Sequence, residues 1–462
     1  MTQPLLLTGV ELAGPAPGAP TTAPADVRIE DGRIVAIGRD LPHAGARVVR
    51  AWGAALLPGL HDHHLHLLAM AAARRSLDVN DLSTPEAFDR AVGSAHRALP
   101  PDRWLRIVGA HDAHGPLGPE RLEALAPGRR TRAQHRSGAA WVLSPAGLAS
   151  IGSEPGGWIH GADAALGRRW GDEAPDLAGV GADLAAMGVT GATDATPYDD
   201  LGAWRLLAAA RADGSLPQRV VATGGLALAE ATPPDGLALG PVKVVVADHA
   251  LPPIDELAGA IRRAHRAGRP VAVHCVTRVG LVVALAAWEE VGALAGDRIE
   301  HGSVLPVELV PTVADLGLTV VTQPAFLRAR GDDYLAQVEP DDLPHLYRCG
   351  SLVAAGVPVG LSTDAPFGPA DPWLAVAAAA DRRTGTGATV GGAEALPAAL
   401  ALARLLTPPE APGGAPRRVA VGAPADLVLL DRPPAAALAD PGRHVVRATW
   451  IGGALAHGDE AG

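Results

Sequence analysis

Residues 56–66, LLPGLHDHHLH, start as an apolar β run and finish in a cluster of four histidines and an aspartate. The same texture returns along the chain. Short runs rich in β-branched residues stand at 188–196 (GVTGATDAT), 218–225 (QRVVATGG), 242–248 (VKVVVAD), 269–276 (RPVAVHCV), 297–304 (DRIEHGSV), 318–324 (LTVVTQP) and 357–366 (VPVGLSTDAP). Longer Ala/Leu-rich stretches with helical patterning separate them, such as LPPIDELAGAIRRAHRAG, which closes on Gly268. Eight buried strands alternating with helices predict a parallel sheet and an α/β fold of the (β/α)8 TIM-barrel class. The spacing is even except after the first strand, where 67–187 read as an inserted lid or substrate subdomain.

The two chain ends have a different texture. DVRIEDGRIVAIGRDL (26–41) and VAVGAPADLVLLDRP (419–433) carry short alternating strands and tight turns. The expectation is a small β-sandwich built from 1–56 plus 408–462, flanking a barrel at 57–407, with the Pro/Gly-rich 408–416 as linker. Hydrophobic residues make up 48% of the 462, enough for a large core and too many for disorder. A net charge of −11 without a basic cluster argues against nucleic acid and anionic membranes as partners, and leaves a small-molecule substrate. The N-terminal segment lacks a signal-peptide pattern, no apolar run is long enough for a membrane span, and two cysteines form no disulfide framework. A cytoplasmic protein is expected, with assembly into a homo-oligomer allowed.

Functional groups of such a barrel gather at the C-terminal strand ends. His64 and His66 are two apart on a strand and share a face with Asp62, while His61 and His63 point the other way. His274 ends the fifth run, His301 the sixth and Asp364 the eighth. Any one of these taken alone reads as a polar residue at a solvent boundary. Together, imidazoles and a carboxylate at one rim form a ligand shell for a divalent metal, with zinc favoured. Lys243, in the fourth run, is the sole lysine of a chain whose Lys and Arg total 39. A buried lysine can lose its proton where arginine cannot, and its neutral amine can take up CO2 as a carbamate. A carbamate on Lys243 would bridge two metals roughly 3.5–4 Å apart. The alternative is an unmodified amine beside a single metal, bonded to a carboxylate or to substrate.

PGLHDHHLH resembles the P-G-x-x-D-x-H-x-H signature of the amidohydrolase superfamily, and VGAPADLVLLD resembles the segment that follows its barrel. QHRSGAAWVL, MGVTGATDATP, PVAVHCV, DRIEHGSV and GVPVGLSTDAPFGPADPW make the chain most similar to the family 3 group that includes N-substituted formamide deformylases. The resemblance implies His64, His66 and Asp364 on a first metal, His274 and His301 on a second, and Lys243 between them. It implies two zinc ions, with manganese, iron or cobalt compatible. Ser144, where relatives often carry Asn, and Asp248-His249, where many carry Asp-Gly, depart from the pattern.

The implied reaction is hydrolysis of a C–N bond, amide or formamide type, in a small molecule by a metal-activated hydroxide, with Asp364 as the proton carrier. His135 in the insertion is a candidate electrophile or substrate contact, with a surface histidine as the plain alternative. Gln323 and Arg348 are further substrate-binding candidates near strand ends. A metal-dependent deaminase of a heterocycle is the runner-up, weakened by Thr277 where a proton-donating Glu is expected. A lactone or ester hydrolase shares the chemistry, and a non-catalytic scaffold is disfavoured by the intact ligand set.

Overall fold

A computed structural model describes residues 3–12, 24–152, 158–160 and 175–459. The chain divides into two compact units, one formed by residues 1–66 and 177–462, the other by Leu67–Asp176. Parts of the expected end domain (1–2, 13–23, 460–462) and of the expected insertion (153–157, 161–174) lie outside the described residues.

In the first unit the chain ends share one sheet. Strands Leu5–Leu12, Ala25–Glu30, Arg33–Gly38, Arg47–Arg50 and Ala55–Pro58 join Leu427–Leu430, Val446–Ile451 and Ala454–Gly458. The seam is antiparallel, with Leu57 opposite Val428. Alternate residues (Leu5, Leu7, Val27, Ile29, Leu427, Leu429) face one apolar cluster around Trp450. The Pro/Gly stretch between the barrel run and this sheet is packed rather than loose. Gly413 has φ +77°, and a Cβ there would collide with the backbone nitrogen of Val359.

The eight β runs of the sequence each contain a strand. They are β1 (Leu60–Leu65), β2 (Val189–Asp194), β3 (Arg219–Ala222), β4 (Val242–Val245), β5 (Val271–Cys275), β6 (Arg298–His301), β7 (Thr319–Thr322) and β8 (Val359–Leu361). A short extra strand, Leu237–Leu239, follows β3; its glycine-flanked sequence carries too little β patterning to be read in advance. All pairings are parallel: β1 to β3 and the extra strand form one sheet, β4 to β8 another. Backbone bonds run from Lys243 N to Gly224 O (2.8 Å), and from Asp364 N to His64 O (2.8 Å). His66 N also reaches Ala365 O (2.8 Å), so the segment that follows β8 meets the end of β1.

Strands β5 to β8 are almost wholly buried, as parallel sheets under helices require. Helix Ile254–Arg266 shows the logic. Leu257, Ala258, Ile261 and Ala264 make its buried stripe, acids fill its first turn, and bases fill its last. Gly268 at φ +71° then lets the chain turn into β5. Each large aliphatic side chain buried this way contributes about 1.5–3 kcal/mol. Asp297, just before β6, ties the layer together. It accepts from Trp288 Nε1 (2.9 Å), Val271 N (2.8 Å), Leu294 N (3.0 Å) and His265 Nε2 (2.9 Å).

The second unit has its own sheet, in the order Ile159–His160, Ala140–Leu143, Thr131–His135, Leu105–Ala110, Leu77–Asp78. Helices Pro85–Ala98 and Pro119–Leu125 cover a core of Phe88, Val92, Ile107, Leu122 and Val142. Among the described residues no helix is long and apolar enough to cross a membrane.

Candidate metal centre

The site lies at the C-terminal ends of the parallel strands. β1 is buried along its whole length, and its alternation sorts the histidines as expected. His61 and His63 turn away to Thr193 (Nε2···Oγ1 3.0 Å) and Thr407 (Nε2···Oγ1 2.8 Å). His64 and His66 share the other face, ring centroids 5.3 Å apart. Asp62 does not join them as a ligand. Its carboxylate accepts from Thr363 Oγ1 (2.5 Å), Thr363 N (3.2 Å) and His64 N (3.1 Å), clamping the end of β1 to the end of β8. Burial raises its pKa to about 6, against the lowering effect of those bonds.

Two residues reach the site by leaving the strand geometry. His301 and Asp364 have φ +69° and +57°, a left-handed conformation that costs a non-glycine residue on the order of 1–3 kcal/mol. Ile299 faces the helices, so strict alternation would send His301 there too. The positive φ turns it back toward the rim, where its ring lies 4.8 Å from that of His64 and 4.5 Å from that of His274.

Three of the imidazoles are held from behind by Nδ1. His64 Nδ1 meets Glu300 Oε2 at 2.5 Å, His66 Nδ1 meets Thr196 Oγ1 at 2.8 Å, and His301 Nδ1 meets Gln323 Oε1 at 2.9 Å. Glu300 is an acceptor, and Gln323 donates its amide to Ser362 Oγ (2.9 Å), so His64 and His301 carry their proton on Nδ1. Their Nε2 lone pairs are left to face inward. Asp364 Oδ1 lies 3.2 Å from His66 Nε2 and 3.5 Å from His64 Nε2. That oxygen is buried and has no hydrogen-bond partner. Ligand atoms of His64, His66 and Asp364 all fall within 4.8 Å of one another.

Lone pairs and an unpartnered carboxylate oxygen converging in a buried space repel unless a cation sits between them. The donor set therefore fits a divalent ion. Burial, reinforced by the Lys243 charge, holds His64 well below the ordinary imidazole range, and burial takes His274 to about 3. His301 is likewise lowered, first by burial and then by its neighbouring imidazoles. Neutral imidazole is the ligating form. Lys243 Nζ lies 3.5 Å from His64 Nε2, and burial lowers its pKa against the pull of Glu300 and Asp364. In register Lys243 pairs with Ala272, two residues below the level of His274, a step its long stem spans.

The other sequence candidates are placed differently. Gln323 is fully buried with both ends of its amide engaged, so it holds His301 rather than a substrate. Arg348 is not free for a substrate either. It forms a buried ion pair with Glu394 and donates to Leu305 O (2.8 Å), Ser351 Oγ (2.8 Å) and His345 Nδ1 (2.6 Å). His135 belongs to the second unit, where it ends a strand beside Ser137 (Nδ1···Oγ 2.8 Å) and lies edge-on to Trp158. Ser144 caps helix Pro145–Ile151, and Thr277 caps Arg278–Val291 while donating to Asp248 Oδ1 (2.5 Å). Sequence reading passed over Glu300, Arg298 and Thr196. The available signal was Arg-x-Glu inside a buried strand, two charges on the face opposite the helix-packed Ile299.

The amidohydrolase family model matches residues 47–457. The chain belongs to the amidohydrolase family. Such an enzyme is a metal-dependent hydrolase of carbon–nitrogen bonds. This amidohydrolase is 25% identical to the N-substituted formamide deformylase of Arthrobacter pascens, over 88% of the chain and 90% of that relative. Among solved structures it is similar to an uncharacterized metal-dependent hydrolase from Pyrococcus horikoshii (TM-score 0.73, 20% identity, 93% and 98% covered). It is also similar to N-isopropylammelide isopropylaminohydrolase from Burkholderia multivorans (TM-score 0.55, 20% identity, 98% of both chains). These likenesses place the chain in the barrel-type α/β fold.

Proposed function

We propose that this amidohydrolase cleaves an amide or N-substituted formamide of small size at a centre of two divalent ions, zinc by preference, with manganese, iron or cobalt compatible. The observation that carries the reading is Asp364 Oδ1, buried, unpartnered and facing two imidazole Nε2 atoms. His64, His66 and Asp364 would hold one ion, His274 and His301 the second. Lys243 Nζ, with burial favouring its neutral form, would bond to the carbon of CO2 and lose a proton, giving a carbamate that spans both. A divalent ion bound there makes water more acidic and polarises a carbonyl oxygen. The Asp364 carboxylate, through its oxygen not engaged by the ion, would accept the proton of the attacking water and deliver it to the leaving nitrogen. His135 remains a proposed substrate contact.

Thr277 weighs against a deaminase, since its hydroxyl is engaged with Asp248 and Gly280 N and cannot protonate a ring nitrogen. For the architecture we propose a closed eight-stranded barrel at 57–407 with 67–187 inserted, supported by the bonds between β1 and the residues after β8. The shared sheet supports a β-sandwich of 1–56 and 408–462. A small-molecule substrate, a cytoplasmic setting in keeping with two unpaired cysteines, and a homo-oligomer complete the proposal.

The test is elemental analysis of protein purified without chelator, joined to assays on N-substituted formamides and matched formate esters. About two metals per chain with formate released from the formamides is the expected result. A single equivalent, not raised by metal and bicarbonate, would remove the bridged pair. Ammonia release from heterocycles without formamide turnover would install the deaminase reading.

A further inference from the structure

The three imidazoles with Nδ1 partners meet three different groups there, a hydroxyl, an amide and a carboxylate. The carboxylate belongs to Glu300, and it is not left alone. Glu300 Oε1 accepts from Arg298 Nε at 2.6 Å while Oε2 meets His64 Nδ1 at 2.5 Å. Both side chains are buried, Arg298 at 3% exposure and Glu300 at 0%. A buried ion pair of this kind is a weak stabiliser compared with well-packed apolar residues, so its presence beside a site imidazole directs attention to a role beyond stability.

The geometry points to Glu300 as a positioning residue: clamped by Arg298, it fixes the tautomer and orientation of His64 so that Nε2 presents its lone pair to the metal centre. The inference rests on the metal-centre reading of His64. Its physics is that of a carboxylate behind a ligating histidine, which orients the ring and raises its basicity.

A glutamine at 300 makes the inference sharp. Arg298 is a donor only, so in Glu300→Gln it claims the amide oxygen and turns the amide NH2 toward His64 Nδ1. Nδ1 must then accept, which moves the imidazole proton to Nε2 and blocks that atom for metal. In the double variant Arg298→Met/Glu300→Gln nothing competes for the oxygen, and it can turn back to His64.

The experiment reads two quantities: the histidine tautomer by 15N NMR on metal-stripped protein, with His64 assigned by loss of its signal in His64→Asn, and zinc affinity by chelator competition. The wild-type protein should show His64 protonated on Nδ1. Glu300→Gln should show it protonated on Nε2 and bind zinc about 10- to 100-fold more weakly. The double variant should regain the Nδ1 tautomer and most of the affinity, a rescue that a merely structural ion pair would not produce. If Glu300→Gln does not fold, the wild-type tautomer and the double variant decide. His64 protonated on Nε2 in the wild type, or wild-type zinc affinity and tautomer in Glu300→Gln, overturns the inference. Absence of zinc binding by the wild-type protein would instead defeat the metal-centre reading, while the tautomer still reports on Glu300.

Discussion

Asp364 is the residue on which the proposed chemistry turns. Its Oδ1 is without a hydrogen bond, yet it sits within 3.5 Å of two imidazole nitrogens. Asp364→Asn keeps the shape and removes the charge and the proton acceptor. Turnover should fall about 10²–10⁴-fold, with the far-UV circular dichroism unchanged. Wild-type rates in that variant would take the proton-carrying role from Asp364. Lys243→Arg probes the bridge, because arginine keeps the charge and cannot form the carbamate. Metal content should drop by one or both equivalents on elemental analysis, and an unchanged content would leave Lys243 an ordinary amine. At this scale the ligand-type residues were legible because strand ends could be counted from β periodicity. The occupation of Arg348 was not legible, since its partner Glu394 lies on a separate loop and spacing does not reveal which polar group meets which. Nor could alternation foresee that a left-handed backbone would turn His301 inward.

At the level of single elements, Asp297 binds two helices and the start of β5 through one carboxylate. Asp297→Ala leaves buried donors at Trp288 Nε1 and Val271 N without acceptors. Destabilisation of about 3 kcal/mol or more is expected in urea unfolding, since each such donor costs about 1–3 kcal/mol. Gly259 offers the opposite case. It lies inside helix Ile254–Arg266, with open space where a Cβ would go. Gly259→Ala should therefore stabilise by about 0.5–1 kcal/mol in the same measurement. Loss of stability there would mean that the helix does not run through that position. The helix itself was legible from its caps and stripe. The strand Leu237–Leu239 was not, because three residues between glycines carry no usable period.

Across the whole molecule, the candidate centre draws ligands from strands far apart in sequence, all in the unit made of residues 1–66 and 177–462. Stripping metal should consequently raise amide hydrogen exchange around His64, His274, His301 and Asp364. The sheet of the Leu67–Asp176 unit, with its own core, should keep its protection. Equal loss of protection in both units would show that the second depends on the centre for its stability. The overall α/β order was readable from the recurring runs, whereas the fold of the inserted unit was not, because its mixed sheet has no repeating unit to count.

The seam between Leu57 and Val428 sets a schedule for making the protein. The strand Ala55–Pro58 leaves the ribosome long before its antiparallel neighbour, Leu427–Leu430, is made. At roughly 5–20 residues per second, that wait is on the order of 20–75 s. For that interval a nascent chain exposes an unsatisfied apolar strand edge, the feature most prone to wrong pairing with another chain. Ribosome stalling anywhere between these two strands would thus prolong the exposure of that edge.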